Sequence, residues 1–285
     1  MPYATSSGCR IHWSSRGEGT PLLLLAGLGA GPESWGALLH HLAAGHRCLV
    51  VDNRGTGASD ASARGLRIAD MADDAAAVLD QAGLEAAHVL GNSLGGMIAQ
   101  AMALRHPGRI RSLVLAATSP GVPSIPSHPG VLYRLVRSTR GAAASRRAEL
   151  AAAFHGPATL VDHPERLAGD AEVLPPPTPG MRRQLAAAMR WSALPWLRRI
   201  GAPTLVVHGT HDRLVPAVNA RILAALIPDA RLHLLPRAGH FFITDAGVAA
   251  GQAIRSFLAS IDLPAPPPAT AELRGMAAVA GVAPA

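Results

Sequence analysis

The sequence predicts an α/β protein with a mostly parallel, doubly wound sheet and a helical insertion. Short, uniformly apolar segments such as residues 21–25 and 48–51 have the composition of strands buried on both faces. Segments with helical periodicity alternate with these strands. Repeated strand–helix units form parallel sheets through right-handed connections, so helices are expected on both faces.

The composition is that of a folded domain. At 285 residues, 49% hydrophobic and 16% charged, the chain can bury a sizeable core as one domain carrying an insertion. Two cysteines, Cys9 and Cys48, are too few for a disulfide framework. Residues 1–13 lack the apolar region of a signal peptide, and no stretch reaches the ~18 apolar residues of a membrane helix. We therefore expect a cytoplasmic protein without a membrane span.

The positive charge is carried entirely by arginine, and it is unevenly placed. The formal net charge is +7, and residues 118–200 hold eleven arginines against five acidic residues. These arginines are not interleaved with aromatic residues, and no nucleic-acid-binding motif is present. The pattern favours a solvated basic face, and we expect no nucleic-acid partner.

The elements divide the chain into a core and a lid. The predicted strands are an edge strand at 9–13, then 21–25, 48–51, 87–90, 113–116, 203–207 and 231–235. The predicted helices are 33–42, 66–79 (with Asp70, Asp73 and Asp74 outward), 96–104, 217–226 and 246–259. Residues 1–117 and 201–262 form the expected core. Residues 118–200 show helical pieces and no strand, which predicts a lid over the strand ends. The Pro- and Ala-rich residues 263–285 are expected to be weakly ordered.

The sequence Gly91-Asn92-Ser93-Leu94-Gly95 stands between a predicted strand and a predicted helix. A serine at such a turn, with glycine two residues to either side, is typical of a nucleophile elbow. The turn strains the serine backbone and exposes Oγ at a helix N-terminus, where negative charge is favoured. The alternative is a glycine-rich turn with a structural serine, but the strand–helix context favours a nucleophile.

A serine hydroxyl needs a base, and the base needs an orienting acid. His240 follows the last predicted strand, and Asp212 follows the strand before it. The order Ser93, Asp212, His240 matches the chain order expected for this arrangement. Taken singly, Asp212 is also consistent with a turn or helix cap, and His240 with a surface histidine. The neighbouring His208 and His211 are expected to be exposed or to support the site indirectly.

The oxyanion of a tetrahedral intermediate needs two backbone donors. Leu94 N–H follows the nucleophile, and Leu28 N–H lies in the glycine-rich loop after strand 21–25. Gly27, Gly29 and Gly31 do not have the spacing of a dinucleotide cradle. No metal-ligand pattern is present either, so we expect neither a cofactor nor a metal.

With these motifs, residues 9–258 resemble the α/β-hydrolase superfamily. The second half is similar to intracellular poly(3-hydroxyalkanoate) depolymerases in segments 115–118, 128–133, 191–197, 203–206, 219–224, 227–233 and 239–244. The resemblance implies a cofactor-free serine hydrolase acting on aliphatic hydroxyacyl esters, with polyester granules as the location expected for a depolymerase. Ala26-Gly27 departs from the His-Gly of many superfamily members, and Leu94 stands where the depolymerases tend to carry an aromatic residue. Asn53-Arg54-Gly55 is more like general esterases and enol-lactone hydrolases than like the polymer enzymes. A small-molecule carboxylesterase or lactonase is the alternative, and a non-catalytic binding protein is the rival from another class.

The lid contains several large apolar residues among its arginines and alanines. Some of them, with Phe241 and Leu28, are expected to line an acyl pocket; the candidates in the lid are Leu132, Tyr133 and Trp191. The alternative is ordinary packing within a small helical subdomain, which must hide an apolar face whatever it binds.

Overall fold

A computed structural model describes residues 2–62, 65–138, 144–167, 169, 174 and 177–262. Its strands are β1 (Tyr3–Ser6), β2 (Cys9–Arg16), β3 (Thr20–Leu25), β4 (His46–Val51), β5 (Ala87–Asn92), β6 (Ile110–Ala116), β7 (Thr204–Gly209) and β8 (Ala230–Leu235). They form one sheet in the order β1-β2-β4-β3-β5-β6-β7-β8. β3 to β8 pair in parallel, and β2 pairs antiparallel with both β1 and β4. The predicted mostly parallel α/β sheet is confirmed.

The helices follow the strands as the alternating pattern predicts. They are α1 (Gly36–Ala43), α2 (Ile68–Gln81), α3 (Leu94–Arg105), α4 (Pro129–Ser138), α5 (Ala144–Phe154), α6 (Pro157–Leu160), α7 (Pro179–Ala188), α8 (Val218–Leu226) and α9 (Phe242–Asp262). Helix α9 contains a kink at Ala246, whose backbone is not helical. The sequence periodicity identified only the part of α9 beyond this kink.

The core consists of two apolar layers, one on each face of the sheet. One layer joins alternate strand residues such as Leu23 and Val89 to α2, α3 and α8. The other joins their neighbours, such as Leu22 and Leu90, to α1 and α9. Because successive strand residues point to opposite faces, a sheet covered on both sides needs uniformly apolar strands. This requirement explains the run Leu22-Leu23-Leu24-Leu25, which is fully buried.

Two expectations about individual elements were wrong. Strand 9–13 is not the sheet edge, because Tyr3–Ser6 pairs outside it. Asp74 does not face outward; it is buried with Arg54, whose Nε donates to its Oδ2 at 2.8 Å. A carboxylate can occupy the inner face of α2 because the guanidinium satisfies its charge there. Asp70 and Asp73 are partly exposed and paired with arginines on the surface.

Residues 118–200, called the insertion below, leave the sheet after β6 and return before β7. Helices α4 to α7 lie within it, and its described residues cover the carboxyl ends of the strands around Ser93. The predicted tail, residues 263–285, lies outside the described residues. Among the residues that are described, no helix combines the length and apolarity needed to cross a membrane.

Candidate active site

Ser93 occupies a strained turn between β5 and α3. Its φ is +55°, which is uncommon for a residue with a side chain. A Cβ on Gly91 would collide with the carbonyl oxygen of Gly95, and a Cβ on Gly95 would collide with that of Leu25. The two glycines therefore let strand, turn and helix approach closely enough to hold Ser93 in this conformation. The same contacts explain the glycine spacing seen in the sequence.

His240 lies in the loop between β8 and α9, and its ring reaches Ser93. Its Nε2 is 3.1 Å from Ser93 Oγ, and its Nδ1 is 2.7 Å from Asp212 Oδ2. The Phe154 ring, from the insertion, packs edge-on against the imidazole with ring centroids 5.3 Å apart. His240 is therefore held between a hydroxyl, a carboxylate and an aromatic ring, with 5% of its surface exposed.

Asp212 is buried and fully hydrogen-bonded. Its Oδ1 accepts from the backbone N–H groups of Leu214 and Val215 at 2.9 and 2.7 Å. Its Oδ2 lies 3.3 Å from Nε2 of His208, which is buried and whose Nε2 is also 2.7 Å from Val215 O. Burial would raise the pKa of Asp212, but the charges and hydrogen bonds of His240 and His208 outweigh it and lower the pKa to about 2. The carboxylate is therefore ionised at neutral pH.

The two histidines beside Asp212 have different positions. His208 contacts the carboxylate, as an indirect supporting group would, whereas His211 is exposed and its Nδ1 lies 2.9 Å from Thr210 Oγ1. Neither histidine hydrogen-bonds to Ser93; among the histidines of the described residues, it is His240 whose ring reaches the serine.

The two backbone donors expected to face an oxyanion lie beside Ser93. Leu94 is the first residue of α3, so its N–H has no acceptor within the helix. Leu28 N–H donates to no acceptor among the described residues. The loop that carries Leu28 passes close to the serine, since a Cβ on Gly27 would lie 3.6 Å from Ser93 Cβ. An oxyanion formed at Ser93 can therefore be met by N–H groups from two sides.

The insertion hydrogen-bonds to each of the three loops around Ser93. Residue Gln184 accepts from Gly29 N–H in the Leu28 loop at 2.8 Å. His128 N–H donates to Arg213 O beside Asp212 at 2.9 Å, and Phe241 N–H, beside His240, donates to Phe154 O at 3.1 Å. The insertion thus takes part in shaping the loops that carry the site.

A cavity of about 490 Å³ lies above Ser93, between the insertion and the sheet. Such a volume is typical of small-molecule sites. Its wall is mainly apolar; side chains from both sides include Leu28, Leu132, Leu135, Leu150, Phe154 and Phe241. Ser93 and His240 are part of the same wall. Ser93 and His240 therefore stand together in a wall whose other residues are mainly apolar.

The expected pocket residues divide into two groups. Leu28, Leu132 and Phe241 line the cavity. Tyr133 does not, because it follows Leu132 on α4 by a rotation of about 100° and is 65% exposed. Trp191 does not either; it packs against the core beneath the insertion and borders a separate surface depression with Trp196. For Trp191, the expectation of ordinary packing is the one that fits.

Two buried amides that were not predicted from the sequence organise the site. Gln184 is fully buried on α7, and Asn219, fully buried on α8, pairs through its amide with both backbone groups of Ile125 at 2.9 and 3.0 Å. Gln184 occupies a position with helical spacing between Met181 and Ala188, which both line the cavity. A polar residue on an otherwise apolar helix face was the available signal. Asn219 had no comparable signal.

No group of three or more histidine, cysteine, aspartate or glutamate side chains has metal-binding geometry within the described ranges.

Family comparison agrees with this geometry. Residues 20–246 match the model of the alpha/beta hydrolase fold. A strand–turn–helix serine, followed by an aspartate and a histidine at the ends of later strands, is the arrangement associated with that fold. The chain belongs to the α/β-hydrolase fold family.

Relatives within the family act in several ways. A poly(3-hydroxyalkanoate) depolymerase from Ectopseudomonas oleovorans is 32% identical over 245 residues, covering 84% of each chain. A 2-hydroxymuconate semialdehyde hydrolase from Pseudomonas sp. strain CF600 is 32% identical over 272 residues, covering 90% of this chain and 93% of its own. The structure of the enol-lactonase from Burkholderia xenovorans LB400 matches with a TM-score of 0.80 and 26% identity, over 90% of this chain and all of that one. The resemblance to the depolymerases is thereby confirmed, and the relatives support a hydrolase.

Proposed function

We propose that the protein is a cofactor-free serine hydrolase that cleaves aliphatic esters through an acyl-enzyme. The observation that carries the proposal is the continuous chain of hydrogen-bonding groups from Ser93 Oγ through His240 to Asp212, at 3.1 and 2.7 Å, in the wall of an apolar cavity. These contacts have the lengths that proton transfer from a nucleophile to an oriented base requires.

Acylation follows from these contacts. Ser93 Oγ attacks the ester carbonyl carbon while His240 Nε2 takes the hydroxyl proton. Asp212, ionised and hydrogen-bonded to Nδ1, stabilises the imidazolium and fixes the ring. The Leu28 and Leu94 N–H groups donate to the oxyanion. The carbon–oxygen bond to the alcohol then breaks, and His240 returns the proton to the leaving oxygen.

Deacylation repeats the sequence with water. His240 takes a proton from water as the water oxygen attacks the acyl carbon of the Ser93 ester. The bond to Ser93 Oγ breaks, and the serine regains its proton from His240. The products are a carboxylic acid and the free enzyme, so no external oxidant, reductant or metal is consumed.

For the substrate, we propose an aliphatic hydroxyacyl ester, in oligomeric or polymeric form. The apolar wall of the cavity favours an aliphatic acyl group over a charged one. The similarity to a poly(3-hydroxyalkanoate) depolymerase supports the same class. Under this proposal, the chain would act as a polyester depolymerase.

The alternative is a small-molecule carboxylesterase or lactonase. The structural similarity to an enol-lactonase and the Asn53-Arg54-Gly55 segment favour it. The two substrates differ in what lies beyond the scissile bond. A polymer must extend out of the cavity, whereas a lactone fits within it.

Two measurements test the proposal. Ser93→Ala should leave the fold intact and reduce ester hydrolysis to the residual ~10³–10⁴-fold acceleration that binding and the oxyanion donors provide. A fluorophosphonate probe should label the wild-type protein at Ser93. Near-wild-type turnover in the variant would contradict the nucleophile, and absence of both labelling and hydrolysis in the wild type would favour a binding protein.

A panel of acyl esters of increasing chain length, assayed beside polyhydroxyalkanoate granules and a lactone series, distinguishes the two candidate substrate classes. Release of hydroxyacids from granules supports the depolymerase. Activity confined to soluble esters or lactones supports the alternative.

A further inference from the structure

We propose that Gln184 is a positioning residue that holds the Leu28 loop in the conformation needed to stabilise the oxyanion. This inference rests on the proposed ester hydrolysis and assigns to the insertion a part in the chemical step. It concerns a side chain that does not itself touch the reacting atoms.

The amide of Gln184 is wholly buried and uses its acceptor and both donor hydrogens. Its Oε1 accepts from Gly29 N–H at 2.8 Å, and its Nε2 donates to Arg54 O at 3.0 Å and to Thr56 Oγ1 at 2.9 Å. These partners are more than 120 residues away in sequence. A buried amide with satisfied groups has one preferred orientation, because any other leaves polar atoms unpaired. Gln184 therefore fixes the spacing between the Leu28 loop and the turn at residues 54–56.

The turn at residues 54–56 is tied to the beginning of the same loop. Asn53 Nδ2, just before the turn, donates to Ala26 O at 2.9 Å. The loop is thus held at Ala26 through Asn53 and at Gly29 through Gln184, with Leu28 between the two attachments. This arrangement restrains the peptide plane that contains Leu28 N–H.

Helix α7 is seated on the turn by a backbone contact. A Cβ on Gly180 would collide with the carbonyl oxygen of Gly55, and a Cβ on Gly55 would lie 2.9 Å from Gly180 Cα. Two facing glycines bring α7 close enough for Gln184, about one turn later, to reach Gly29. The backbone contact gives the helix a fixed docking point independent of the amide.

The hydrogen bond to Gln184 also determines which N–H group of the Leu28 loop is left to donate to a substrate. Gly29 N–H is occupied by Gln184 Oε1, whereas Leu28 N–H has no acceptor among the described residues. A donor that is already aimed needs no rearrangement when charge develops on the substrate, and such preorganisation lowers the barrier. Loss of the amide would remove the attachment at Gly29 and leave the Leu28 peptide held by Ala30 N–H, which donates to Gly27 O at 3.2 Å, and by the attachment at Ala26, so the Leu28 N–H would be less firmly aimed.

The test compares Gln184→Met with Arg183→Ala. Methionine keeps the length and burial of the side chain but cannot make the three hydrogen bonds. Arg183 is the exposed neighbour on α7, and its Nη1 donates to Ser62 O at 2.7 Å, so its removal loosens the same helix without touching the Leu28 loop. We expect Gln184→Met to lower kcat by about 10–100-fold while KM changes by less than about threefold, because a misplaced donor acts on the transition state. Arg183→Ala should leave both constants near wild type.

Inhibition by a tetrahedral-intermediate analogue is a measurement that would not change if Gln184 only docked helix α7. An alkyl trifluoromethyl ketone adds to Ser93 and places an oxyanion before Leu28 and Leu94. Its inhibition constant should rise in Gln184→Met by the same factor as kcat/KM falls, as expected when an interaction serves the transition state. An unchanged inhibition constant would overturn the proposal.

Gln184→Asn covers the case in which the methionine variant does not fold. It keeps a buried amide but is one methylene too short to reach Gly29, so the same kinetic loss is expected. If either folded variant behaves like Arg183→Ala while the wild type hydrolyses esters and is labelled at Ser93, Gln184 only docks the helix and the inference is wrong. If the wild type shows neither hydrolysis nor labelling, the proposed function fails instead.

Discussion

His155 Nδ1 lies 2.8 Å from Asp245 Oδ1, and both side chains are completely buried. His155 belongs to the insertion, whereas Asp245 lies at the start of α9, just after His240. The carboxylate also accepts from Gly156 N–H at 2.8 Å and from Gly239 N–H at 2.6 Å. One carboxylate therefore joins the insertion to the loop that carries His240.

Asp245→Asn should destabilise the protein by about 3 kcal/mol and lower turnover. The amide cannot accept from all three donors, and a buried donor without a partner carries a large penalty. Urea unfolding and kcat measure the two effects. Asp162→Asn is the matched control, since Asp162 joins the insertion to Arg237 through an exposed ion pair. This substitution should change the free energy of unfolding by less than about 1 kcal/mol.

The contribution of Asp245 should depend on pH in a definite direction. Burial would raise the pKa of Asp245, but hydrogen bonds, first among them that from His155, outweigh it and hold the pKa below its usual range. The stabilisation is therefore present above the unfolded pKa of about 3.8 and is lost as the pH falls through the folded value. The stability difference between wild type and Asp245→Asn should shrink as the pH is lowered below about 4. A difference that grows on acidification would contradict the assignment.

Asp212→Asn should preserve the fold at neutral pH and reduce kcat by about 10³–10⁴-fold, because an amide cannot stabilise the imidazolium. With a pKa of about 2, Asp212 remains ionised over the range in which activity is assayed. The low-pH limb of the wild-type rate profile should consequently not follow titration of this group. Near-normal turnover in the variant would require another carboxylate to serve His240.

The pKa of Asp212 also bears on acid stability. Its value of about 2 lies below the ordinary 3.8, so the ionised group stabilises the fold by about 2 kcal/mol at neutral pH. This stabilisation is complete above the unfolded value and is lost as the pH falls from about 4 towards 2. Urea midpoints of wild type and Asp212→Asn across this range measure it, and parallel curves would contradict it.

Leu132 and Tyr133 are a matched pair of residues for testing how the cavity wall affects substrate choice. Leu132 lines the cavity and Tyr133 is exposed one residue later. For p-nitrophenyl esters from acetate to decanoate, kcat/KM should rise with chain length in the wild type, by up to ~0.8 kcal/mol per buried methylene. Leu132→Ala should alter this profile and Tyr133→Ala should not. A flat wild-type profile would move the proposal towards small esters.

On helix α2, Asp74 forms a buried ion pair and Asp73 forms an exposed one, so the two residues compare the energetic value of the two environments. Asp74→Ala should destabilise the protein by about 3–5 kcal/mol, because it leaves the Arg54 guanidinium buried without its partner. Asp73→Ala removes the surface contacts with Arg105 and His106 and should have an effect of about 0–1 kcal/mol. Equal losses in thermal or urea unfolding would contradict the difference in burial.

The sheet and the turn that carries Ser93 were predictable because each has a local signal. Uniformly apolar segments indicate doubly covered strands, and the glycines around Ser93 follow from contacts within the turn. The placement of His240 and Asp212 near Ser93 was predictable because the ends of parallel strands meet at one edge of the sheet.

The walls of the cavity were less predictable, since composition does not fix how a helix is rotated. Leu132 and Tyr133 are adjacent and both large, yet only one faces the cavity. The outward position predicted for Asp74 was wrong for the same reason. Its burial depends on Arg54, twenty residues earlier, and no local pattern joins the two. Contacts such as Gln184 with Gly29 are set by the tertiary fold alone.

The hydrogen bonds from the insertion to all three loops bear on how this scaffold can be redesigned. A chimera that took the whole segment from a relative would exchange the substrate chamber and, at the same time, the supports of Leu28, Asp212 and His240. Replacing apolar wall residues such as Leu132, Leu135 or Leu150 changes the chamber and spares those supports. Libraries aimed at new esters should therefore vary individual wall side chains and retain Gln184 and His155, so that specificity can diverge while Ser93, Asp212 and His240 keep their geometry.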